Sequence, residues 1–114
     1  MRETVSQKNA EHYTWGAGCD GYFLLKELEV HVIEERMPPG TSERPHLHER
    51  ARQMFYVLEG ELTMCMDDEN VQVGLGSALE IEPGTVHQAK NESGADVRFL
   101  AVSVPPSHGD RVNR

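Results

Sequence analysis

An all-β fold, two sheets closed into a barrel, is what the sequence predicts, and three observations predict it. Short runs of alternating apolar and polar residues recur along the chain, turn residues separate them at hairpin spacing, and no stretch holds a helical period for more than a turn or two. Counted this way there are about nine short strands. The chain of 114 residues is long enough to bury one core and too short for two, so a single domain is expected.

Residues 1–11 are polar and aperiodic and read as an arm. Residues 12–15 form a short strand stopped by Gly16-Ala17-Gly18, and Asp20-Gly21 turns the chain toward the apolar Tyr22-Phe23-Leu24-Leu25. Trp15, the sole tryptophan, is expected to pack, over the barrel mouth or at a subunit contact. Residues 28–37 alternate as one long strand, with Leu28, Val30 and Val32 on one face and His31 and Ile33 on the other. Set among Glu residues, His31 reads as solvated; it becomes a pocket residue only if its face turns inward. Met37-Pro38-Pro39-Gly40 ends the strand, because proline donates nothing to a ladder and glycine permits the sharp turn.

Parity along the run that starts at Gln53 puts Gln53, Phe55 and Val57 inward. Met54, Tyr56 and Leu58 then point outward, three large side chains that call for a second sheet or a subunit to cover them. Glu59-Gly60-Glu61 leads into an alternating strand over residues 62–66, and Asp67-Asp68-Glu69-Asn70 makes the hairpin turn into residues 71–73. That acidic turn lacks the loop pattern of a calcium site and reads as solvated. Residues 78–81 alternate up to the Pro83-Gly84 turn. The last strand, residues 95–104, is almost continuously apolar apart from Arg98 and is expected to be covered on both faces. Residues 105–114 read as a loop-like tail.

A formal net charge of −8 argues against a nucleic-acid or anionic-membrane partner, since both are repelled by an acidic surface. The N-terminus has no apolar run of signal-peptide type and no stretch approaches membrane-spanning length, so a cytoplasmic location is expected. Cys19 and Cys65 show no staple pattern and read as free thiols in a reducing compartment.

The chemistry concentrates in two stretches, residues 40–60 and 76–91. His46 and His48 are two apart after a proline-bounded loop, so on a strand their imidazoles share a face roughly 6 to 7 Å apart and can converge on one metal ion. Gln53 begins the following strand, where its side-chain oxygen can return to the same centre. His87, three residues beyond Gly84, supplies a third imidazole. One histidine on a strand is more often packed than ligating, and an isolated His-x-His decides nothing; four donors spaced over two stretches are hard to read that way.

Those stretches resemble the two motifs of the cupin family, the first carried here by Gly40, His46, His48, Gln53 and Gly60, the second by Gly76, Glu82, Gly84, His87 and Asn91. Spacing is kept throughout. Gln53 stands where the family usually has a metal-binding Glu, and Glu82 where it usually has Pro; Pro83 and Gly84 still make the turn. The resemblance implies a double-stranded β-helix, or jelly-roll, with residues 28–104 as the barrel, residues 1–27 as an arm and first strands of the kind that crosses to a partner subunit, and a homodimer. It also implies one divalent transition metal ion, iron, nickel, manganese, zinc or copper, held by His46, His48, Gln53 and His87.

Four neutral donors leave a divalent ion its full double charge and, on an octahedral ion, two adjacent open positions for a small oxygen-rich metabolite. Lewis-acid chemistry of isomerase or lyase type is the leading expectation. A metal-dependent dioxygenase is the alternative, weakened because Gln53 cannot take the proton that the family's Glu is thought to take. Glu80, Tyr56 and His31 are the substitute bases on offer, and Arg98 would pair with a substrate carboxylate if it pointed inward. An empty site serving a non-catalytic sugar- or aromatic-binding module is the third reading. A glutamine at this position also occurs in cupins resembling the sugar-uronate ring-opening proteins.

Overall fold

The computed structural model describes residues 2–114. Among the described residues eleven strands make two antiparallel sheets: β1 (Glu11–Trp15), β2 (Cys19–Lys26), β3 (His31–Met37), β4 (His46–His48), β5 (Arg52–Glu59), β6 (Leu62–Met66), β7 (Glu69–Val73), β8 (Ala78–Ile81), β9 (His87–Lys90), β10 (Val97–Val104) and β11 (Arg111–Asn113). The six-stranded sheet runs β1-β2-β3-β10-β5-β8 and the five-stranded sheet β11-β4-β9-β6-β7. Neighbours in each sheet are mostly distant in sequence, which is the interleaved order of a double-stranded β-helix. Among the described residues no helix is long and apolar enough to cross a membrane.

The inner faces meet in one core of Met37, Phe55, Val57, Leu62, Met64, Ile81, Ala89, Val97 and Phe99. Period-two alternation generates it: on β5 Gln53, Phe55 and Val57 are buried while Met54 and Tyr56 are exposed, as parity requires. Burying the aromatic and aliphatic side chains of this core contributes roughly 1.5–3 kcal/mol each. Gly60, between β5 and β6, has φ +80°, and a Cβ there would stand 2.5 Å from the Asp96 carbonyl oxygen, so the motif glycine serves both backbone conformation and close approach.

Several elements differ from the sequence reading. Asp20-Gly21, expected to turn the chain, lie inside β2, the turn being residues 16–18, and Glu69-Asn70 of the acidic turn already belong to β7. The strand expected over residues 28–37 begins at His31, and Leu28 is 94% exposed in the hairpin that joins β2 to β3, where Glu27 N–H donates to the Val30 carbonyl at 3.0 Å. Apolar identity alone does not keep a residue in a ladder when a turn lies next to it. The last strand is buried on its inner face only; Leu100 and Val102 on the other side are half-covered. The tail expected as loop adds β11 to the edge of the second sheet, paired with β4 in the register Arg111 with His48 and Asn113 with His46. Asp110 anchors it by accepting from the backbone N–H groups of Arg50 and Ala51 at 2.9 Å each.

Candidate functional site

His46 and His87 are direct partners in the register of β4 with β9, and His48 lies one pleat further along β4. The Pro83-Gly84 turn is tied to β4 by its own backbone, since Gly84 N–H donates to the His48 carbonyl at 2.8 Å. Ring centroids are 4.4 Å apart for His46 and His87, 4.9 Å for His46 and His48, and 5.7 Å for His48 and His87. One ring nitrogen from each lies within 4.8 Å of the others, and all three residues are buried.

Backbone carbonyls fix two of the tautomers. His46 Nδ1 lies 2.8 Å from the Arg44 carbonyl oxygen and His87 Nδ1 2.9 Å from that of Thr85. A carbonyl only accepts, so each Nδ1 carries the hydrogen and each Nε2 keeps its lone pair. The His87 Nε2 is buried without a hydrogen-bond partner. Burial holds the rings neutral: it pulls His46 down to about 3 and His48 to about 4, the neighbouring His87 adding to both, and it lowers His87 as well. Three buried neutral imidazoles with converging ring nitrogens, two of them oriented through Nδ1 by backbone carbonyls, are the donor set a divalent transition ion takes, so these residues fit such an ion.

Gln53 approaches from the opposite sheet. Its Nε2 donates to Ser103 Oγ at 2.9 Å, which leaves Oε1 buried without a partner on the same cavity that His46 and His48 line. That cavity, about 350 Å³, has walls of Ile33, Phe55, Phe99 and Ala101. Apolar walls with a few convergent polar groups describe a small-molecule site. Asn91, the last residue of the second motif, serves the frame: its Nδ2 donates to the Met37 and Ala95 carbonyls at 2.8 Å each.

The other sequence candidates are placed elsewhere. Arg98 lies on the outer face of the six-stranded sheet, where its guanidinium donates to Glu59 at 2.7 Å and Glu34 at 2.8 Å, away from the cavity. Tyr56 is exposed on the same face, and Glu80 is ion-paired with Arg52 on the surface. His31, expected to be solvated, is buried because its face of β3 turns inward; it stands behind the cavity wall, edge-on to Phe23 at 5.2 Å and to the wall residue His108 at 5.5 Å.

Sequence reasoning missed Glu35, Glu43, Tyr13 and the tail residues Ser107, His108 and Arg111, all of which line the cavity. Glu35 was legible by parity, being two and four residues from the inward Ile33 and His31. Its carboxyl is enclosed by protein but opens on the cavity, and burial first, then the charge of Glu43, pushes it up to about 8. Burial also raises Glu43 to about 7, against the Ala89 N–H that donates to its carboxylate at 2.9 Å and the nearby Arg111.

A jelly-roll barrel with a histidine cluster between its sheets is the architecture of the cupins, and the cupin domain model matches residues 33–103. The chain belongs to that family. It is 31% identical over 88 residues to the uncharacterized protein MJ1618 of Methanocaldococcus jannaschii, covering 76% of this chain and 70% of the relative. It is 32% identical over 86 residues to the quercetin 2,3-dioxygenase of Bacillus subtilis, covering 75% of this chain but only 23% of that enzyme. Among solved structures, the polyketide cyclase RemF from Streptomyces resistomycificus superposes with a TM-score of 0.82 at 25% identity, over 99% of this chain and 85% of that one.

Proposed function

We propose that the protein holds one divalent transition ion through His46, His48, His87 and Gln53 and uses it on a small oxygen-rich metabolite, by Lewis-acid chemistry of isomerase or lyase type. The observation that carries this is the set of three buried, converging, neutral imidazoles, two of them oriented by backbone carbonyls, with His46, His48 and Gln53 on the wall of a cavity of mixed apolar and polar lining. When bound, such an ion polarises a carbonyl, stabilises an enolate or lowers the pKa of a bound water. The chain's own part is to hold the donors in place: the Arg44 and Thr85 carbonyls aim two rings, Ser103 aims the Gln53 oxygen, and Phe55 and Phe99 exclude water around the ligand. The likeness to a polyketide cyclase over nearly the whole chain supports the family of reactions without net oxidation.

Two further readings have distinct tests. The likeness to a quercetin 2,3-dioxygenase favours oxygen chemistry, and oxygen uptake on adding a bound ligand would select it. A ligand that raises the melting temperature yet is recovered unchanged would select a binding module instead.

Gln53→Glu tests the fourth ligand. The Ser103 hydroxyl can rotate from accepting the amide N–H to donating to a carboxylate, so the metal-loaded variant is expected to fold normally. Titration with a divalent ion should show tighter binding than in the wild type, by about tenfold, because a charge is gained at the centre. Weaker binding would place Gln53 away from the ion.

The outer face of the six-stranded sheet supports a homodimer. Tyr56 is registered beside Leu100, and Val102 lies between Met54 and Val32, giving a contiguous apolar patch. Sedimentation should find a dimer that Tyr56→Glu converts to monomer; a wild-type monomer refutes the pairing.

A further inference from the structure

One row of the inner face runs Tyr13, Gly21, Glu35 and Phe99 across β1, β2, β3 and β10. Gly21 leaves a gap that the Tyr13 ring fills: a Cβ there would stand 2.3 Å from Tyr13 Cζ. Gly21 therefore lets the phenol lie across β2 toward Glu35. The Tyr13 hydroxyl is held protonated, chiefly by burial and then by the Glu35 and Glu43 carboxyls that face it. Trp15, two residues along on the same face of β1, directs its indole N–H toward Glu35, but the Nε1 is buried with no hydrogen bond of full geometry. The Glu35 carboxyl faces that indole, with Tyr13 and Glu43 close by on the cavity wall. The cavity thus has a polar group adjoining the histidine cluster: two carboxyls, an indole N–H and a phenol, with Arg111 beside them and Glu43 Oε1 3.8 Å from His46 Nδ1.

We propose that Glu35, Glu43 and Trp15 form a subsite that selects ligands carrying a hydroxyl group. Three head groups are chemically distinct here. A carboxylate is repelled once either carboxyl ionises, and it has no hydrogen to donate to that group. An ammonium satisfies the carboxyls but leaves the indole N–H unpaired and faces Arg111. A hydroxyl does both things the subsite asks: its oxygen accepts from Trp15, and its hydrogen is donated to Glu35. It also suits either protonation state of Glu35, which accepts when ionised and can donate when neutral. The subsite deepens the reading of the cavity as a metabolite site and names its substrate class as hydroxylated, but it does not depend on the metal.

The test uses three ligands that share one body: cyclohexanol, cyclohexylamine and cyclohexanecarboxylate. Trp15, the sole tryptophan, reports from the subsite by its fluorescence, and none of the three absorbs where it is excited. Titrations are run on protein treated with EDTA and on protein reconstituted with zinc. Cyclohexanol is expected to bind saturably and about tenfold tighter than either other head group in both preparations, about the size of one well-made hydrogen bond. Glu35→Leu should abolish that preference, and Glu35→Gln, whose amide both donates and accepts, should keep part of it. A preference for the amine or the carboxylate, a preference that survives Glu35→Leu, or no saturable response overturns the subsite. Cyclohexanol binding only to the zinc protein and indifferent to Glu35 also overturns it, placing the hydroxyl at the histidines. Failure of zinc to bind, with the hydroxyl preference intact in the EDTA-treated protein, refutes the metal reading and leaves the subsite standing.

Discussion

Replacing His46 with alanine is expected to strip the protein of its ion. Wild-type protein purified without a chelating resin should carry up to one equivalent of iron, nickel, manganese, zinc or copper by elemental analysis, and the His46→Ala variant should carry at least tenfold less at the same free metal, roughly what loss of a ligand-positioning group costs and more. Stability should follow. Metal bound only by the folded state adds RT ln(1 + [L]/Kd), about 3 kcal/mol at a hundredfold excess over Kd, which for a chain of this size raises Tm on the order of 10 °C. EDTA should therefore lower the wild-type Tm by that amount and leave the variant almost unmoved. The comparison within each protein matters, because His46→Ala also removes the ring that bonds the Arg44 carbonyl, a change worth about 1 kcal/mol with or without metal. Equal metal content in the two proteins would refute the site. No metal in the wild type even after reconstitution would mean that Gln53 marks a histidine cluster kept for ligand binding alone.

The fold was legible because a β-barrel writes itself in two local signals, alternation and turns. On β5 the period of two correctly separated Gln53, Phe55 and Val57 from Met54 and Tyr56, and the four candidate metal donors were named because each motif holds its residues close in sequence. Arg98 and Glu80 show where attention to chemistry outran parity. Phe99, Ala101 and Ile81 are inward, so the residues beside them, Arg98 and Glu80, had to face out. Glu35 is the reverse case. A charged residue at an inward position looks like surface until the cavity that admits it is known. The tail was illegible for a different reason: residues 111–113 are too few to show alternation, and β11 exists through its pairing with β4, more than sixty residues away. Long-range closure of this kind leaves no mark in a local window.

Glu35 also makes the molecule's stability depend on pH in a direction opposite to that of a salt-bridged carboxylate. An ordinary glutamate titrates at about 4.5, whereas burial beside Glu43 puts Glu35 at about 8 in the folded chain. Between those values the folded state keeps a proton that the unfolded state has released, so ν for the native state exceeds that for the unfolded state and stability falls as pH rises. Glu43, raised to about 7, titrates over the same range, so the two carboxyls release their protons as a coupled pair. Glu35→Gln removes the Glu35 contribution while keeping the shape of the side chain. Its stability relative to the wild type is therefore expected to climb between about pH 5 and pH 8.5, by on the order of 2–3 kcal/mol, less than a fully dry carboxyl would give because Glu35 opens on the cavity. Urea denaturation at intervals across that range, on EDTA-treated protein so that the histidine cluster contributes no metal linkage, reads the difference directly. A stability difference that is flat with pH would mean that the Glu35 carboxyl is hydrated in the native state and carries its charge at neutral pH. The same experiment bears on ligand choice, since a neutral Glu35 at pH 7 presents the cavity with one negative charge at most beside Arg111, and a hydroxyl group is then bound by hydrogen bonds with little charge to compensate.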